Sequence, residues 1–255
     1  MRKPSSLNRS VFDNGPEPSI GEVTRAAARV VDRAFRRAGQ TAGVMLSAGV
    51  DSTLLLSLSP NRQTVATFTV VNREDHPDLL AAQRLAKEWG LQHSWMIPSA
   101  TDITEARAGL AGRQKVFEGD DAVYFACKFA SRAYVRCLVA TDGIDELAGG
   151  YWWHANTSER FSDQAAAFEY FWARLWENHM FPLLESAEAF GLTVEFPFLD
   201  DEFVDVFVRI PFEVRAAGGQ TKKFWKQAAL GLVPQWILER EKIGFVSALS
   251  WSNKR

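Results

Sequence analysis

Val44-Met45-Leu46-Ser47-Ala48-Gly49-Val50-Asp51-Ser52-Thr53 is the stretch from which the fold is read. Val44 to Leu46 read as a buried parallel strand, and Thr53 to Leu58 as the first turns of a helix packed on it. Between them Ser47, Ala48 and Gly49 carry almost no side chain, so the backbone can close tightly around a ligand. A strand that enters a helix through such a turn aims backbone N–H groups and the positive helix end at one point, which suits phosphate. Asp51 is the odd residue in that cradle. A carboxylate beside a phosphate repels it unless a divalent cation lies between them. The turn therefore predicts a nucleotide with Mg2+. A short Ser/Gly turn also serves as plain strand–helix punctuation.

Upstream, apolar residues Val23, Ala27, Val30, Val31, Ala34 and Phe35 recur at helical spacing, which predicts a helix over 20–38 stopped by Gly39. Arg25, Arg29, Arg33, Arg36 and Arg37 fill its other face, as a solvated surface or a subunit contact. Residues 1–18 lack periodicity and read as a flexible arm. Downstream, Thr64–Val71 is a β-branched second strand, 77–90 a helix closed by Gly90, and 92–96 a short third strand. A long helix over 119–136 and a fourth strand over 138–140 follow, ending at Thr141-Asp142-Gly143. Alternating strands and helices predict an α/β protein with a parallel doubly wound sheet, whose ligands sit at the carboxyl ends of the strands. From Ser162 onward the pattern is helical and shows no convincing strand. The division expected is an arm (1–18) and one domain (19–255), with a sheet core over about 40–150 and a helical part over about 160–250.

The chain has 255 residues and a formal net charge of -2, a balance that does not suggest a nucleic-acid or membrane-surface protein. No stretch is long and apolar enough to span a bilayer, and none reads as a signal peptide. Cys127 and Cys137 have neither metal nor redox spacing and read as buried free thiols in a reducing, cytoplasmic setting. His76, His93, His154 and His179 are scattered without ligand spacing, which disfavours a zinc site.

A second strand end, Thr141-Asp142-Gly143-Ile144-Asp145-Glu146-Leu147-Ala148-Gly149-Gly150-Tyr151, gathers Asp142, Asp145 and Glu146 before a Gly-Gly turn. Carboxylates so close repel one another unless a cation or a bound amine neutralises them. A third stretch runs Lys222-x-x-Trp225-Lys226-x-Ala228, then Pro234-x-x-Ile237-x-x-Arg240-x-Lys242-x-Gly244-Phe245.

Ser47-Ala48-Gly49-Val50-Asp51-Ser52 resembles the Ser-Gly-Gly-x-Asp-Ser pyrophosphate loop of the N-type ATP pyrophosphatases. The segment from Thr141 closely resembles Gly-Asp-Gly-x-Asp-Glu-Leu-x-Gly-Gly-Tyr of asparagine synthetases. The C-terminal stretch resembles that family's Lys-x-x-Leu-Arg-x-Ala and Pro-x-x-Ile-x-x-Arg-x-Lys-x-Gly-Phe, and Pro197-Phe198-Leu199-Asp200 is another of its signatures. With the motifs in the right order, the chain is identified as resembling the synthetase domain of the asparagine synthetase family. The resemblance implies an adenine-nucleotide α-hydrolase-like sheet with a helical C-terminal half. It also implies ATP-dependent activation of a small-molecule or peptide carboxylate as an acyl-adenylate, then attack by ammonia or an amine. On this resemblance Leu46, Ser47, Ala48, Gly49, Asp51, Ser52 and Gly143 would hold the nucleotide, and Asp51 and Asp145 would bind Mg2+. Lys242 would sit over the α-phosphate, Lys222 and Arg240 would be phosphate or structural partners, and Asp142 would handle the amine.

Departures from the family pattern stand out. Arg2 stands where the glutamine-using relatives carry a nucleophilic cysteine, so the expectation is free ammonia, a substrate amine, or ammonia from a separate glutaminase or biosynthetic partner chain. Ala48 replaces a glycine, which is tolerable at negative φ and harmful otherwise. Glu195-Phe196 replaces Arg-Val before Pro197, which leaves acids other than aspartate open, including the substrates of β-lactam- and macrolactam-forming relatives. A tRNA-modifying ATP pyrophosphatase and a non-catalytic nucleotide-binding subunit are the competing readings.

Overall fold

Ser19 starts the first long helix by a reciprocal cap: its hydroxyl accepts from Glu22 N, and the Glu22 carboxylate accepts from Ser19 N at 2.9 Å. That helix, α1, is Ile20–Ala38, as the spacing predicts, and Gly39 ends it at a φ of 63°. Its apolar face is fully buried. The arginine face is partly spent inside the chain: Arg33 pairs with Asp200 at 3.0 Å and Glu202 at 2.7 Å, and Arg37 with Glu195 at 2.7 Å. The computed structural model describes residues 3–110, 120–157 and 160–240.

Five strands form one parallel sheet: β1 (Ala42–Met45), β2 (Ala66–Val70), β3 (Gln92–Met96), β4 (Cys137–Val139) and β5 (Thr193–Glu195), in the order β3-β2-β1-β4-β5. Helices α2 (Val50–Leu58), α3 (Pro77–Trp89), α4 (Ala100–Gly109) and α5 (Asp120–Arg132) connect the first four. This is the expected parallel doubly wound sheet. Alternate residues serve the two faces, because a strand's side chains alternate. Ala42, Val44, Cys137 and Val139 join the core under α1, while Phe68, Val70, Leu138 and Ala140 join the core under α5. Cys127 and Cys137 are buried free thiols, as expected.

The second half consists of α6 (Ile144–Ala148), α7 (Trp152–Ala155), α8 (Gln164–Leu175), a π-helical turn (Trp176–Met180), α9 (Phe181–Ala189), α10 (Asp201–Phe207), α11 (Phe212–Arg215), α12 (Lys223–Ala228) and α13 (Gln235–Leu238). One expectation is corrected here: this half contains β5, which pairs with β4 from Cys137↔Thr193 to Val139↔Glu195. Three half-exposed residues at a sheet edge have too little apolar signal to reveal a strand.

Residues 3–18, read from composition as an arm, lie against this half. Ser6 Oγ donates to Leu199 O at 2.6 Å, Asp13 N to Val208 O at 2.9 Å, and Val11 is buried. Arg215 is fully buried and ties the pieces together, donating to the carbonyls of Val11, Leu147, Val208 and Ile210 at 2.7–3.1 Å. Among the described residues no helix is long and apolar enough to cross a membrane.

Candidate active site

The strand order reverses between β1 and β4, and in such sheets the crevice at the strand ends opens at that point. Both turns singled out in the sequence leave the sheet there, Ser47–Ser52 from β1 and Thr141–Glu146 from β4.

At the first turn, α2 begins earlier than predicted, with Gly49 as N-cap and Asp51 in its first turn. Leu46 N is bonded to Phe68 O at 2.8 Å, so the turn starts from a fixed strand end. Ser47 is exposed, its Oγ 3.4 Å from Gly49 N, and Ser52 is buried, its Oγ 3.4 Å from Gly49 O. Ala48 is buried at a φ of 50°. The condition of negative φ is therefore not met: the residue adopts the left-handed conformation that glycine accepts freely, at a cost of about 1–2 kcal/mol for an L-residue. Arg240 clamps this turn, donating to Ser47 O at 3.0 Å and Ala48 O at 3.1 Å while pairing with Asp78.

At the second turn, Gly143 has a φ of 93° and caps α6. A side chain on it would strike Leu199, so the Pro197–Leu199 signature packs directly beneath the turn. Asp145, in the first turn of α6, is 2.6 Å from Lys222 Nζ. Lys222 also pairs with Asp51, so the two strand ends converge on one ammonium. Gly150 makes room for that meeting: a Cβ there would overlap Asp145 Oδ1 and lie 2.6 Å from Lys222 Cε. Burial opposes the Lys222 charge, but Asp145 and Asp51 outweigh it and the net shift is upward. Trp225 Nε1 donates to Asp51 Oδ1 at 3.1 Å. The related pattern has a leucine at this position, so the tryptophan adds a donor that leucine lacks.

The second turn also carries a further polar group. Asp142 is half-buried, and its pKa is raised to about 6, first by burial and then, against a lowering by His179, by Glu146 and Asp145. Tyr151 Oη donates to Glu146 Oε1 at 2.7 Å and lies 3.2 Å from His179 Nε2.

The structure thus brings Asp51, Asp142, Asp145 and Lys222 to the two turns, and Leu46, Ser47, Ala48, Gly49, Ser52 and Gly143 form their backbone. Lys242 lies outside the described residues. Glu195, one of the departures, faces Arg37 of α1. Sequence reading missed roles for His179, Tyr151 and Trp225. Tyr151 and Trp225 fall inside quoted motifs; for Tyr151 its closeness to Asp145 and Glu146 was the available clue, while Trp225 stands among lysines and His179 carries no local signal.

For Mg2+, the test is the donor set. Asp51 and Asp145 reach one nitrogen from two strand ends, a spacing at which one cation bridges two carboxylates, and Mg2+ favours few carboxylates plus phosphate oxygens. The residues fit such an ion, with Lys222 as the cation between them here. Among the described residues no group of three or more His, Cys, Asp or Glu side chains could hold a metal by itself.

Fold and site define a doubly wound α/β protein with a small-residue turn and an acidic turn side by side at the switch point. The asparagine synthase family model matches residues 22–188 and 162–254, and the chain belongs to that family. It is similar to a probable glutamine-hydrolysing asparagine synthetase of Acanthamoeba polyphaga mimivirus, with 25% identity over 92% of this chain and 45% of that protein. It is also similar to the glutamine-hydrolysing asparagine synthetase of Gallus gallus, with 25% identity over 82% of this chain and 40% of that protein. The chain therefore spans less than half the length of these curated relatives. Among solved structures, an NH3-dependent NAD synthetase from Campylobacter jejuni matches with a TM-score of 0.41 and 17% identity, over 52% of this chain and 61% of that one.

Proposed function

We propose that the protein is an ATP-dependent carbon–nitrogen ligase that adenylates a carboxylate and passes the acyl group to ammonia or an amine. The observation that carries this is the convergence of Asp51 and Asp145, from two strand ends at the switch point, on Lys222. In this reading a substrate carboxylate oxygen attacks the α-phosphorus of ATP, and the bond to the leaving pyrophosphate breaks. The amine nitrogen then attacks the acyl carbon, AMP leaves, and the amine proton passes to a base.

The turn Ser47–Ser52 and the start of α2 would bind the pyrophosphate. Mg2+, held by Asp51 and Asp145, would supply positive charge against the phosphates. Lys222 would move from the carboxylates toward the phosphate oxygens when they arrive, keeping charge where it grows. Lys242 is proposed to act on the α-phosphate side. Asp142 would take the amine proton, and a carboxyl raised to about 6 is a better base near neutral pH than an ordinary one. Glu195 supports an acid other than aspartate, because a carboxylate stands where the family pattern has arginine.

Pyrophosphate release from ATP and Mg2+, with ammonium present, tests this across a panel of amino acids and other carboxylates. The expected result is release that needs one carboxylate and is lost in Asp51→Ala and Lys242→Ala. Release of phosphate instead would refute the adenylate, and silence across the panel with ATP still bound would favour a non-catalytic nucleotide-binding subunit.

A further inference from the structure

His179 sits on the π-helical turn Trp176–Met180, between α8 and α9. Such turns carry an extra residue and re-aim a side chain, often at functional sites. Here the turn brings the imidazole Nε2 within 3.2 Å of Tyr151 Oη and 3.9 Å of Glu146 Oε1, with the His179 and Tyr151 rings inclined by 22°. A phenol has one proton, and Tyr151 donates it to Glu146 Oε1 at 2.7 Å. The phenol keeps that proton because burial, then Glu146 and Asp145, push its pKa well above the ordinary value. With its one proton given to Glu146, the phenol oxygen offers His179 an acceptor, an arrangement that takes the Nε2–H tautomer.

The chain of contacts is then His179 Nε2–H to Tyr151 Oη–H to Glu146. Glu146 is almost wholly buried, so its orientation depends on the donors that reach it. Asp142 directly precedes Gly143, the N-cap of α6, and Glu146 is in the first turn of that helix, so both carboxyls leave the same strand end, where the charges of His179 and Glu146 also bear on Asp142. Lys222 and Trp225 serve Asp51 at the phosphate turn, whereas His179 serves the residues around Asp142.

We propose that His179 is a positioning residue for the amine-transfer step: its Nε2–H holds the Tyr151 hydroxyl, and through it the Glu146 carboxylate, in place beside Asp142. The inference rests on the adenylation-and-transfer reading above and adds a division of labour to it. One group of side chains serves adenylate formation, and a second, anchored on the π-helical turn, serves attack by the amine.

The test separates the two half-reactions. The probes are ATP, magnesium chloride, radiolabelled pyrophosphate and an equimolar mixture of common amino acids and dicarboxylates. Pyrophosphate exchange into ATP without ammonium reports adenylation, and AMP formed after adding ammonium chloride reports transfer. In His179→Ala, exchange should fall by less than about threefold, while transfer falls at least about tenfold in kcat. His179→Gln keeps an N–H donor and should recover transfer to within about threefold of the unsubstituted protein; it also serves if the alanine variant folds poorly. Equal losses in both half-reactions, no loss in transfer, or a glutamine variant as slow as the alanine variant would each overturn the proposal. No exchange in the unsubstituted protein would instead overturn the adenylation reading, and this inference with it.

Discussion

Among the described residues of the second half, Arg215 and Lys222 are buried cations, and they are stabilised in opposite ways. Arg215 has carbonyl partners from four residues and lies near the Phe168, Phe207 and Phe212 rings. Burial, with no compensating carboxylate, pushes its pKa down to about 9. Lys222 lies between two carboxylates, and its pKa moves up despite burial. The planar guanidinium fork can satisfy carbonyls that point at it from several sides, whereas an ammonium is a compact charge that a bound anion can attract away. Arg215 is thus suited to hold backbone segments together. Lys222, with a φ of 54°, is held by a strained backbone at the site.

That contrast can be broken most decisively at Arg215. Arg215→Met should lower the unfolding free energy by about 3–5 kcal/mol, because buried carbonyls lose their donors, and a denaturant titration reads the loss. Arg215→Lys should rescue little, since one ammonium cannot reproduce the fork. A change near zero would remove the distinction between the two cations.

Lys222→Met should cost less stability, about 1–3 kcal/mol, since Asp51 and Asp145 are only partly buried and Asp51 keeps the Trp225 Nε1 donor. Its larger effect should be on chemistry, a fall on the order of 100-fold in carboxylate-dependent pyrophosphate release. If that variant released pyrophosphate normally, Lys222 would be as structural as Arg215.

Asp142 sharpens the site side of the comparison through pH. With its pKa raised to about 6, it is protonated below that pH and cannot take a proton. Amide formation should therefore drop about tenfold per pH unit below it. The sign for stability is opposite. Between the ordinary carboxylate range and about 6 the folded state binds the proton more tightly, so this group's contribution falls as pH rises through that window. Asp142→Asn should remove both dependences, and paired pH series of activity and unfolding would show it.

The smallest effect belongs to Ala48→Gly. Relief of the left-handed strain, about 1–2 kcal/mol, is offset by loss of a buried methyl, about 0.8 kcal/mol, and by the greater freedom of glycine when unfolded. The midpoint of unfolding should move by no more than the equivalent of about 1 kcal/mol. A larger gain would show that Ala48 strains the turn beyond its own residue.

Much of the sheet is legible in the chain because its signals are local. The strand 92–96 and the helices over 20–38 and 77–90 come from periodicity and end residues; the structure has the first two at those positions and ends the third at Trp89 with Gly90 as its cap. The helix Ala100–Gly109 has no such apolar stripe, only the cap at Ser99, and went unread. Strand β5 depends on β4 for its hydrogen bonds, so Thr193-Val194-Glu195 says little by itself. Arg215 gave no signal either, because its partners are carbonyls, and carbonyls are everywhere in a sequence.

The sequence by itself determined the first four strands along the chain, the small-residue turn at 47–49, the acidic turn at 142–146 and the family they point to. Tertiary structure alone decided which charges meet. Lys222 reaches Asp51 across 171 positions, and His179 reaches Tyr151 across 28. Periodicity reports what each segment buries, since burial depends on the spacing within that segment. Pairing of charges depends on where separate segments end in space, and the close packing of the helical half on the sheet sets that.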